Sequence, residues 1–266
     1  MDLRKITHEV VELSKTVGQF IRQEAGRITT ENIKEKGVHD LVTYVDLEAE
    51  KRLVSALQII VPEAGFIAEE NQKLKRKEGL NWIIDPLDGT TNFIHGVPNY
   101  CVSIALAERE EIISAVVYEI NLDECFYAWK DGPAFLNGNE IKVSSTKVLE
   151  KSLIATGFPY SDYSLLKPYL GLFEELLKDT RGIRRLGSAA LDLAYVACGR
   201  FDLFFEYGLK PWDVAAGSLI VERAGGLVTD FKEKDNYIFG RQIIASNKKT
   251  HDEFSKKLNR HFTDHI

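Results

Sequence analysis

Three consecutive apolar runs at hairpin spacing constrain the fold of this 266-residue chain more than any other feature. The runs read YCVSIALAE, IISAVVYEI and ECFYAWK, and only a few residues separate each from the next. Short segments rich in β-branched and aromatic residues predict neighbouring strands of an antiparallel or mixed sheet. The Asn137-Gly138 pair that follows predicts a further tight hairpin turn. The first half of the chain should therefore be built around a sheet.

The other elements predict helices packed against such sheets. Apolar residues of 3–25 recur at helical spacing, and a short strand, a helix at about 47–60 and another strand follow. After about residue 145 strands and helices alternate. We expect an α+β first half (1–145) and an α/β second half (146–266), which form one compact unit with sheets and helices in layers. The predicted strands of the second half lie near 152–156, 183–186, 202–206, 227–231 and 242–245, with helices at about 165–178, 188–198 and 213–224 and at the end of the chain.

Charge and cysteine content argue against several classes of protein. The formal net charge of −6 disfavours nonspecific nucleic-acid binding as a main role. The three cysteines form no CxxC pair, and an odd, scattered set indicates reduced thiols and no disulfide framework. No apolar run approaches the ~18 residues of a membrane span, and the first residues are unlike a signal peptide. We therefore predict a soluble, cytoplasmic protein that binds no membrane.

The segment WIIDPLDGTTNF delivers two acids and a turn of small residues to the end of an apolar strand at 82–85. Asp85 ends that strand, at the carboxyl edge where α/β sheets commonly build sites. Pro86 has no amide donor and should stop the strand pairing, so that the chain turns and brings Asp88 beside Asp85. Gly89 permits a close approach of the backbone to a ligand. If Thr90 opens a helical turn, its free amides form an anion site.

Two neighbouring carboxylates repel one another, and one of them takes up a proton unless a cation compensates. Beside an anion-binding turn, Mg²⁺ is a simple solution, because it prefers hard oxygen ligands and binds carboxylates together with phosphate oxygens. The alternative explanation is an ordinary surface turn rich in aspartate and glycine. The two readings predict different surroundings for Asp85 and Asp88.

Two more acidic features favour a common ion site. The run GFIAEEN delivers Glu69 and Glu70 to the end of another apolar strand, and Asp213 follows Trp212 at the start of an amphipathic helix. Each has an ordinary alternative: a solvated strand end for the glutamates and a helix N-cap for Asp213. Convergence on one ion cluster explains all of them together.

At these residues the sequence resembles the inositol monophosphatase family of Mg²⁺-dependent, lithium-sensitive sugar-phosphate phosphatases. DPLDGTTNF (85–93) and PWDVAAGSLIVERAGG (211–226) look like the two signature motifs of that family. AEE (68–70) looks like its first acidic motif, and KGVHDLVTYVD (36–46) is similar to the segment before it. The resemblance implies the layered αβαβα fold of the sugar phosphatases. It also implies hydrolysis of a phosphate monoester, with inositol 1-phosphate as the expected substrate, by in-line attack of a metal-activated water.

The resemblance also implies a role for individual residues. Glu69, Asp85 and the Leu87 carbonyl would bind a first Mg²⁺, and Asp85, Asp88 and Asp213 a second. A third, weaker ion would lie near Glu69. The catalytic residues implied are Asp46, Thr90 and Glu69. The substrate contacts implied are the backbone amides of Gly89, Thr90 and Thr91 for the phosphate, and Lys36, Asp88, Ala189 and Glu206 around the rest of the ester.

The chain departs from the family pattern in small ways that bear on substrate range. Ala68 stands where glycine is usual, and Asn71 where serine often occurs, but neither is a ligand. The segment from Glu69 to Asp85 is short beside that of vertebrate members of the family. This suggests a more open mouth of the active site and a wider substrate range, which could reach fructose 1,6-bisphosphate. Thr91-Asn92 favours the inositol type over the related nucleotide 3′-phosphatases. The resemblance also implies a homodimer, and some relatives act as binding partners of the transcription machinery.

Overall fold

Seven α-helices occur in the described part of the chain, and they lie on the faces of two larger sheets. The computed structural model describes residues 1–29, 33–37, 40–71, 73–158 and 162–263, and for 34–37 and 40 it describes the backbone alone. No helix in these ranges is both long and apolar enough to cross a bilayer. The helices are α1 (Leu3–Glu24), α2 (Tyr44–Ile60), α3 (Thr90–Ile94), α4 (Leu166–Asp179), α5 (Ala189–Ala197), α6 (Pro211–Arg223) and α7 (His251–Phe262).

The strands form a two-stranded hairpin, a seven-stranded sheet and a five-stranded sheet. The hairpin pairs β1 (Ile33–Gly37) with β2 (Asp40–Thr43). The large sheet has the order β3 (Gly65–Ala68), β4 (Leu80–Asp88), β5 (Cys101–Glu108), β6 (Glu111–Glu119), β7 (Glu124–Trp129), β8 (Phe135–Leu136) and β9 (Asn139–Glu140). The small sheet has the order β11 (Gly182–Arg184), β10 (Leu153–Thr156), β12 (Leu203–Tyr207), β14 (Gln242–Ser246) and β13 (Leu227–Thr229).

The pairing confirms the predicted hairpins. β5, β6 and β7 are antiparallel neighbours, and β8 and β9 form the tight hairpin at Asn137-Gly138, where both residues have positive φ. The large sheet is mixed because β3 runs parallel to β4. The small sheet is mixed as well, with β10 parallel to both of its neighbours and β14 antiparallel to both of its own.

Alternating side chains of the strands divide the interior into three hydrophobic cores, which define the layers. On β4, Trp82 and Ile84 face a core shared with α1 and α2, whereas Ile83 faces a core shared with α5 and α6. On β12, Phe204 faces that same central core, and Phe205 faces a third core that contains α4 and α7. The layers are therefore helix, sheet, helix, sheet, helix, as the sequence predicted. The division at residue 145 stays a prediction.

The structure corrects two predicted boundaries next to the acids. The helix expected from about 47 begins at Tyr44, because Thr43 caps it and the Asp46 side chain accepts a bond from the Thr43 amide in return. Apolar periodicity does not reveal such a cap. The strand expected to end at Asp85 continues to Asp88: its pairing skips Pro86 and Leu87 and resumes where Asp88 lies opposite Cys101.

Candidate active site

The parallel pairing of β3 with β4 places Glu69, which follows β3, beside Asp85 of β4. The two strands are parallel, and Ala68 lies opposite Ile84, so the next residue of each strand is an acid. The Glu69 amide donates a hydrogen bond of 3.3 Å to the Ile84 carbonyl. The Glu70 amide donates one of 2.8 Å to Glu50 Oε2 on α2. The peptide that carries Glu69 is therefore held from two directions.

The turn after Asp85 is compact and brings Asp88 to the same edge. Asp85 Oδ1 accepts a hydrogen bond of 2.9 Å from the Leu87 amide. Gly89 has φ +98°, and a Cβ at this position would lie 2.9 Å from the Asn99 carbonyl oxygen, so only glycine fits without displacement. α3 begins at the next residue, and the amides of its first turn have no acceptor within the helix.

Asp46 and Thr90 are in contact, although 44 residues separate them. Thr90 Oγ1 lies 2.9 Å from Asp46 Oδ1 and 3.0 Å from the Leu87 carbonyl oxygen. Asp46 Oδ2 accepts bonds from the Thr43 amide and from Thr43 Oγ1. Burial raises the pKa of the Asp46 carboxyl, while the bonds from Thr43 and Thr90 oppose that rise. The pair lies beside the acidic turn, where it can orient a small polar group.

The second half of the chain contributes Asp213 and a second contact with Asp88. Asp213 is the third residue of α6, and its Oδ2 accepts a bond of 2.7 Å from the Lys210 amide. Asp213 is therefore not the N-cap that the ordinary explanation predicted, because Lys210 is the N-cap and α6 begins at the next residue. One Asp213 oxygen nevertheless accepts the amide of that N-cap residue. Asp88 Oδ2 accepts bonds from Ser188 Oγ (2.7 Å) and the Ala190 amide (2.8 Å), at the N-terminus of α5.

The charges of these acids act on one another, and Asp85 shows this most clearly. Burial raises the pKa of its carboxyl well above the usual value. Three nearby negative charges raise this pKa further, those of Glu69, Asp88 and Asp213. Burial raises the pKa of Asp88 to about 6, against the effect of its bonds from Ser188 and Ala190. Burial and the charge of Asp88 raise the pKa of Asp213 well above its usual value.

The acidic side chains are not arranged as a set of metal ligands, yet their oxygen atoms suit a divalent cation. Within the described ranges, no three His, Cys, Asp or Glu side chains already form a group that could hold a metal ion. The donor atoms nevertheless fit Mg²⁺, which takes carboxylate and carbonyl oxygens. One oxygen each of Asp85, Asp88 and Asp213 accepts bonds from the protein, and the described residues donate none to the other. The acids thus fit a cation after a rearrangement of their side chains.

The remaining predicted substrate residues lie on neighbouring elements. Glu206 is a buried residue of β12, Ala189 is the first residue of α5, and Thr91 is exposed in α3. Burial raises the pKa of Glu206 well above its usual value, and the charge of Asp192 adds to the rise. The backbone of Lys36 lies in β1, but its side chain lies outside the described residues.

Three residues near the acids were not singled out from the sequence. Glu50 and Ser188 bond directly to the acidic segments, and Asp192 is a buried carboxyl of α5. The described residues offer no hydrogen bond to either oxygen of Asp192. Glu50 could have been noticed as an acid four residues after Asp46, on one face of a helix. Ser188 and Asp192 give no such signal, since their roles depend on contacts between distant segments.

Comparison with known proteins identifies the family. The model of the inositol monophosphatase family matches residues 2–264. The Nus factor SuhB of Pseudomonas aeruginosa is 44% identical over 241 residues, 89% of each chain. The fructose-1,6-bisphosphatase/inositol-1-monophosphatase of Thermotoga maritima is 41% identical over 251 residues, 94% of each chain. The crystal structure of the extragenic suppressor protein suhB from Bartonella henselae matches with a TM-score of 0.92 and 36% identity, over 96% of this chain and 99% of that one.

The fold, the acidic edge and these matches define a phosphatase of layered α+β architecture. More particularly, the chain belongs to the inositol monophosphatase family.

Proposed function

We propose that the protein hydrolyses phosphate monoesters in a Mg²⁺-dependent reaction and that inositol 1-phosphate is its preferred substrate. The observation that carries the proposal is the set of acids that meet at the buried Asp85 carboxyl: burial raises its pKa, and the charges of Glu69, Asp88 and Asp213 raise it further. These acids come from three segments, the end of β3, β4 itself and α6. A surface turn would leave such acids in water and apart. Their convergence beside the free amides of a helical turn suits a site where cations and a phosphate meet.

Each group has a role that follows from its position. Glu69, Asp85 and the Leu87 carbonyl would hold one Mg²⁺, and Asp85 with Asp88 and Asp213 would hold a second. A third would lie near Glu69. Bound Mg²⁺ would supply a water of lowered pKa and would offset the negative charge of the phosphoryl group.

Asp46 and Thr90 would orient the attacking water, at the same edge as Glu69. Thr90 Oγ1 would accept the proton of that water while its own hydroxyl proton passes to Asp46 Oδ1 along their hydrogen bond. The amides of Gly89, Thr90 and Thr91 would hold the phosphate. Glu206, with the backbone of Ala189, would contact the hydroxyl groups of the ester, and Lys36 would lie at the mouth. This arrangement needs no covalent intermediate, because phosphoryl transfer depends mainly on position and charge stabilisation.

Phosphate release from a panel of monoesters, measured with Mg²⁺ and after removal of metal, tests the proposal. The variants Asp88→Asn and Asp213→Asn should lose phosphate release and keep the fold, as seen by circular dichroism. Ser218→Ala is a matched control, because among the described residues its hydroxyl bonds only to the Val214 carbonyl one turn earlier. Turnover close to wild type by either aspartate variant in excess Mg²⁺ would refute the assignment.

A broader range that includes fructose 1,6-bisphosphate is supported by one observation. The similar protein of Thermotoga maritima is named for both activities. The short segment between Glu69 and Asp85 is consistent with an open mouth. Comparing kcat/KM for fructose 1,6-bisphosphate and inositol 1-phosphate decides between the two readings, and a strict preference for the inositol ester would reject the broader one.

A second candidate function is a regulatory binding role in the transcription machinery of the cytoplasm. It is favoured by the name of the Pseudomonas aeruginosa relative, a Nus factor. Affinity capture from native lysate with the inactive Asp88→Asn variant tests it. Retention of transcription proteins by this variant would support a role independent of catalysis, and their absence with both forms would reject it. Equilibrium sedimentation tests the homodimer that the resemblance implies.

A further inference from the structure

Glu50 is a buried acid of α2 that the proposed mechanism does not use. Only 4% of its surface is exposed, and it lies one helical turn after Asp46 on the same face. Its Oε2 accepts the hydrogen bond of 2.8 Å from the Glu70 amide, 20 residues further along the chain. Burying a carboxylate costs free energy, and an apolar side chain of similar size often stabilises a protein at least as well. Stability alone does not account for an acid at this position.

The bond from Glu70 acts on the peptide that carries Glu69. On one side the Glu69 amide bonds to the Ile84 carbonyl, the residue directly before Asp85. On the other side Glu50 holds the next amide. Loss of the second bond would remove one of these two attachments. The Glu69 carboxylate would then be held less firmly beside Asp85.

The same helix also contacts the opposite side of the site. Asp46 receives the hydrogen bond from Thr90, directly after the turn of Asp88. One rigid helix therefore bonds to both segments that bear the acids, through two side chains one turn apart. The spacing of Glu69 from the Asp85–Asp88 turn is set by α2 as well as by the pairing of β3 with β4.

We propose that Glu50 is a positioning residue that fixes Glu69 for divalent-cation binding by accepting the Glu70 amide. The inference rests on the proposed function, since it assumes that Glu69 is a ligand. Groups that orient metal ligands through hydrogen bonds commonly change metal affinity by 10–100-fold when they are removed. Loss of Glu50 should therefore weaken cation binding, while kcat at saturating Mg²⁺ stays close to that of the wild type.

Two substitutions separate the reach of the side chain from its charge. Glu50→Asp keeps the charge but shortens the side chain by one methylene, so that it loses the Glu70 amide. Glu50→Gln removes the charge but keeps an acceptor oxygen at the same reach. Calorimetric titration of Mg²⁺ into metal-stripped protein should show binding at least about tenfold weaker for Glu50→Asp. It should show binding close to wild type for Glu50→Gln. Glu48→Asp, on the same helix and 37% exposed, is the control.

A second variant and a kinetic readout guard against a general loss of structure. Glu50→Met fills a similar volume without a strong acceptor, and it should weaken binding as Glu50→Asp does. In both, the Mg²⁺ concentration for half-maximal rate should rise, while kcat at saturating Mg²⁺ stays close to wild type. Wild-type affinity in Glu50→Asp and Glu50→Met, or weak binding confined to Glu50→Gln, would overturn the inference alone. Absence of Mg²⁺ binding by the wild-type protein would overturn the proposed function itself.

Discussion

Ser188 Oγ donates a hydrogen bond of 2.7 Å to Asp88 Oδ2 and so joins segments 100 residues apart in the chain. The same hydroxyl accepts a bond from the Leu191 amide and thereby caps α5. The Ala190 amide adds a second bond to the same Asp88 oxygen. The N-terminus of α5 therefore favours the ionised form of Asp88, against the effect of burial.

Ser188→Ala should shift the pH dependence of Mg²⁺ binding to higher pH. Burial already raises the pKa of Asp88 to about 6, so protons compete with cations below that value. Without the Ser188 donor the carboxylate is less stabilised, and its pKa should rise further. Calorimetric titrations of metal-stripped protein across the acid range measure the shift. Ser188→Thr keeps the hydroxyl and should restore the wild-type midpoint; identical midpoints for Ser188→Ala and wild type would contradict the argument.

Ser188→Ala should also cost stability, because the hydroxyl caps a helix. Removal of an N-cap of this kind typically costs about 1 kcal/mol of the free energy of unfolding. Urea denaturation measures this cost separately from the pH effect. Ser218→Ala again serves as the control, since it removes a buried hydroxyl whose bond, in the part of the chain that the structure describes, stays within its own helix.

The metal-free protein should be more stable in mild acid than at neutral pH, and Asp192 should contribute to this. Burial raises the pKa of Asp192 well above its usual value, and the charge of Asp88 adds to the rise. The unfolded chain then loses the proton at a lower pH than the folded protein does. The contribution of Asp192 to the free energy of unfolding is therefore fully present below the unfolded pKa of about 4. It falls as the pH rises toward the pKa of Asp192 in the folded protein.

Asp192→Asn should remove part of that dependence. The amide is neutral at every pH, so the variant should lose less thermal stability than the wild type between about pH 5 and pH 7.5. Thermal melts in the presence of a chelator measure the difference, and Asp235→Asn, at an exposed position, is the control for loss of a carboxylate. A parallel decline in the wild type and Asp192→Asn would show that folding does not raise the pKa of Asp192 into or above this range.

How far the site can be predicted from the sequence depends on the kind of contact. Asp85 and Glu69 follow apolar strands, and their position at a sheet edge follows from that pattern. The bonds from Ser188 to Asp88 and from Glu70 to Glu50 join segments 100 and 20 residues apart, so only tertiary packing creates them. The start of α2 at Tyr44 escapes prediction for a related reason, because a cap of Thr43 and Asp46 has no apolar period.

Gly89→Ala should destabilise the protein and impair phosphate release. Its φ of +98° costs an alanine roughly 1–2 kcal/mol, and the new Cβ would also press on the Asn99 carbonyl oxygen. Gly96→Ala is the matched control, since Gly96 has φ +68° but an added Cβ there would meet nothing within 4 Å. The difference between the two variants in the free energy of unfolding, measured by urea denaturation, gives the cost of the contact between the new Cβ and the Asn99 carbonyl oxygen. Equal losses would show that the backbone conformation alone requires glycine.

Gly157→Ala should act on substrate choice through Glu206. A Cβ at Gly157 would overlap the carboxylate of Glu206, so that side chain must move. If Glu206 contacts the hydroxyl groups of the ester, KM for inositol 1-phosphate should rise. KM for phenyl phosphate, which has no such hydroxyl groups, should change little, and Glu206→Gln should show the same selectivity.

Gly79→Ala provides the control for this comparison, because a Cβ there would meet nothing within 4 Å. Steady-state kinetics with both esters at saturating Mg²⁺ give the KM and kcat values needed. A selective rise in KM for the inositol ester would place the Glu206 carboxylate at the polyol, since displacement of a group that binds only hydroxyls leaves the phosphoryl chemistry intact. An equal rise for both esters in Gly157→Ala would instead mean that the substitution disturbs the phosphate end, and the role proposed for Glu206 would be wrong.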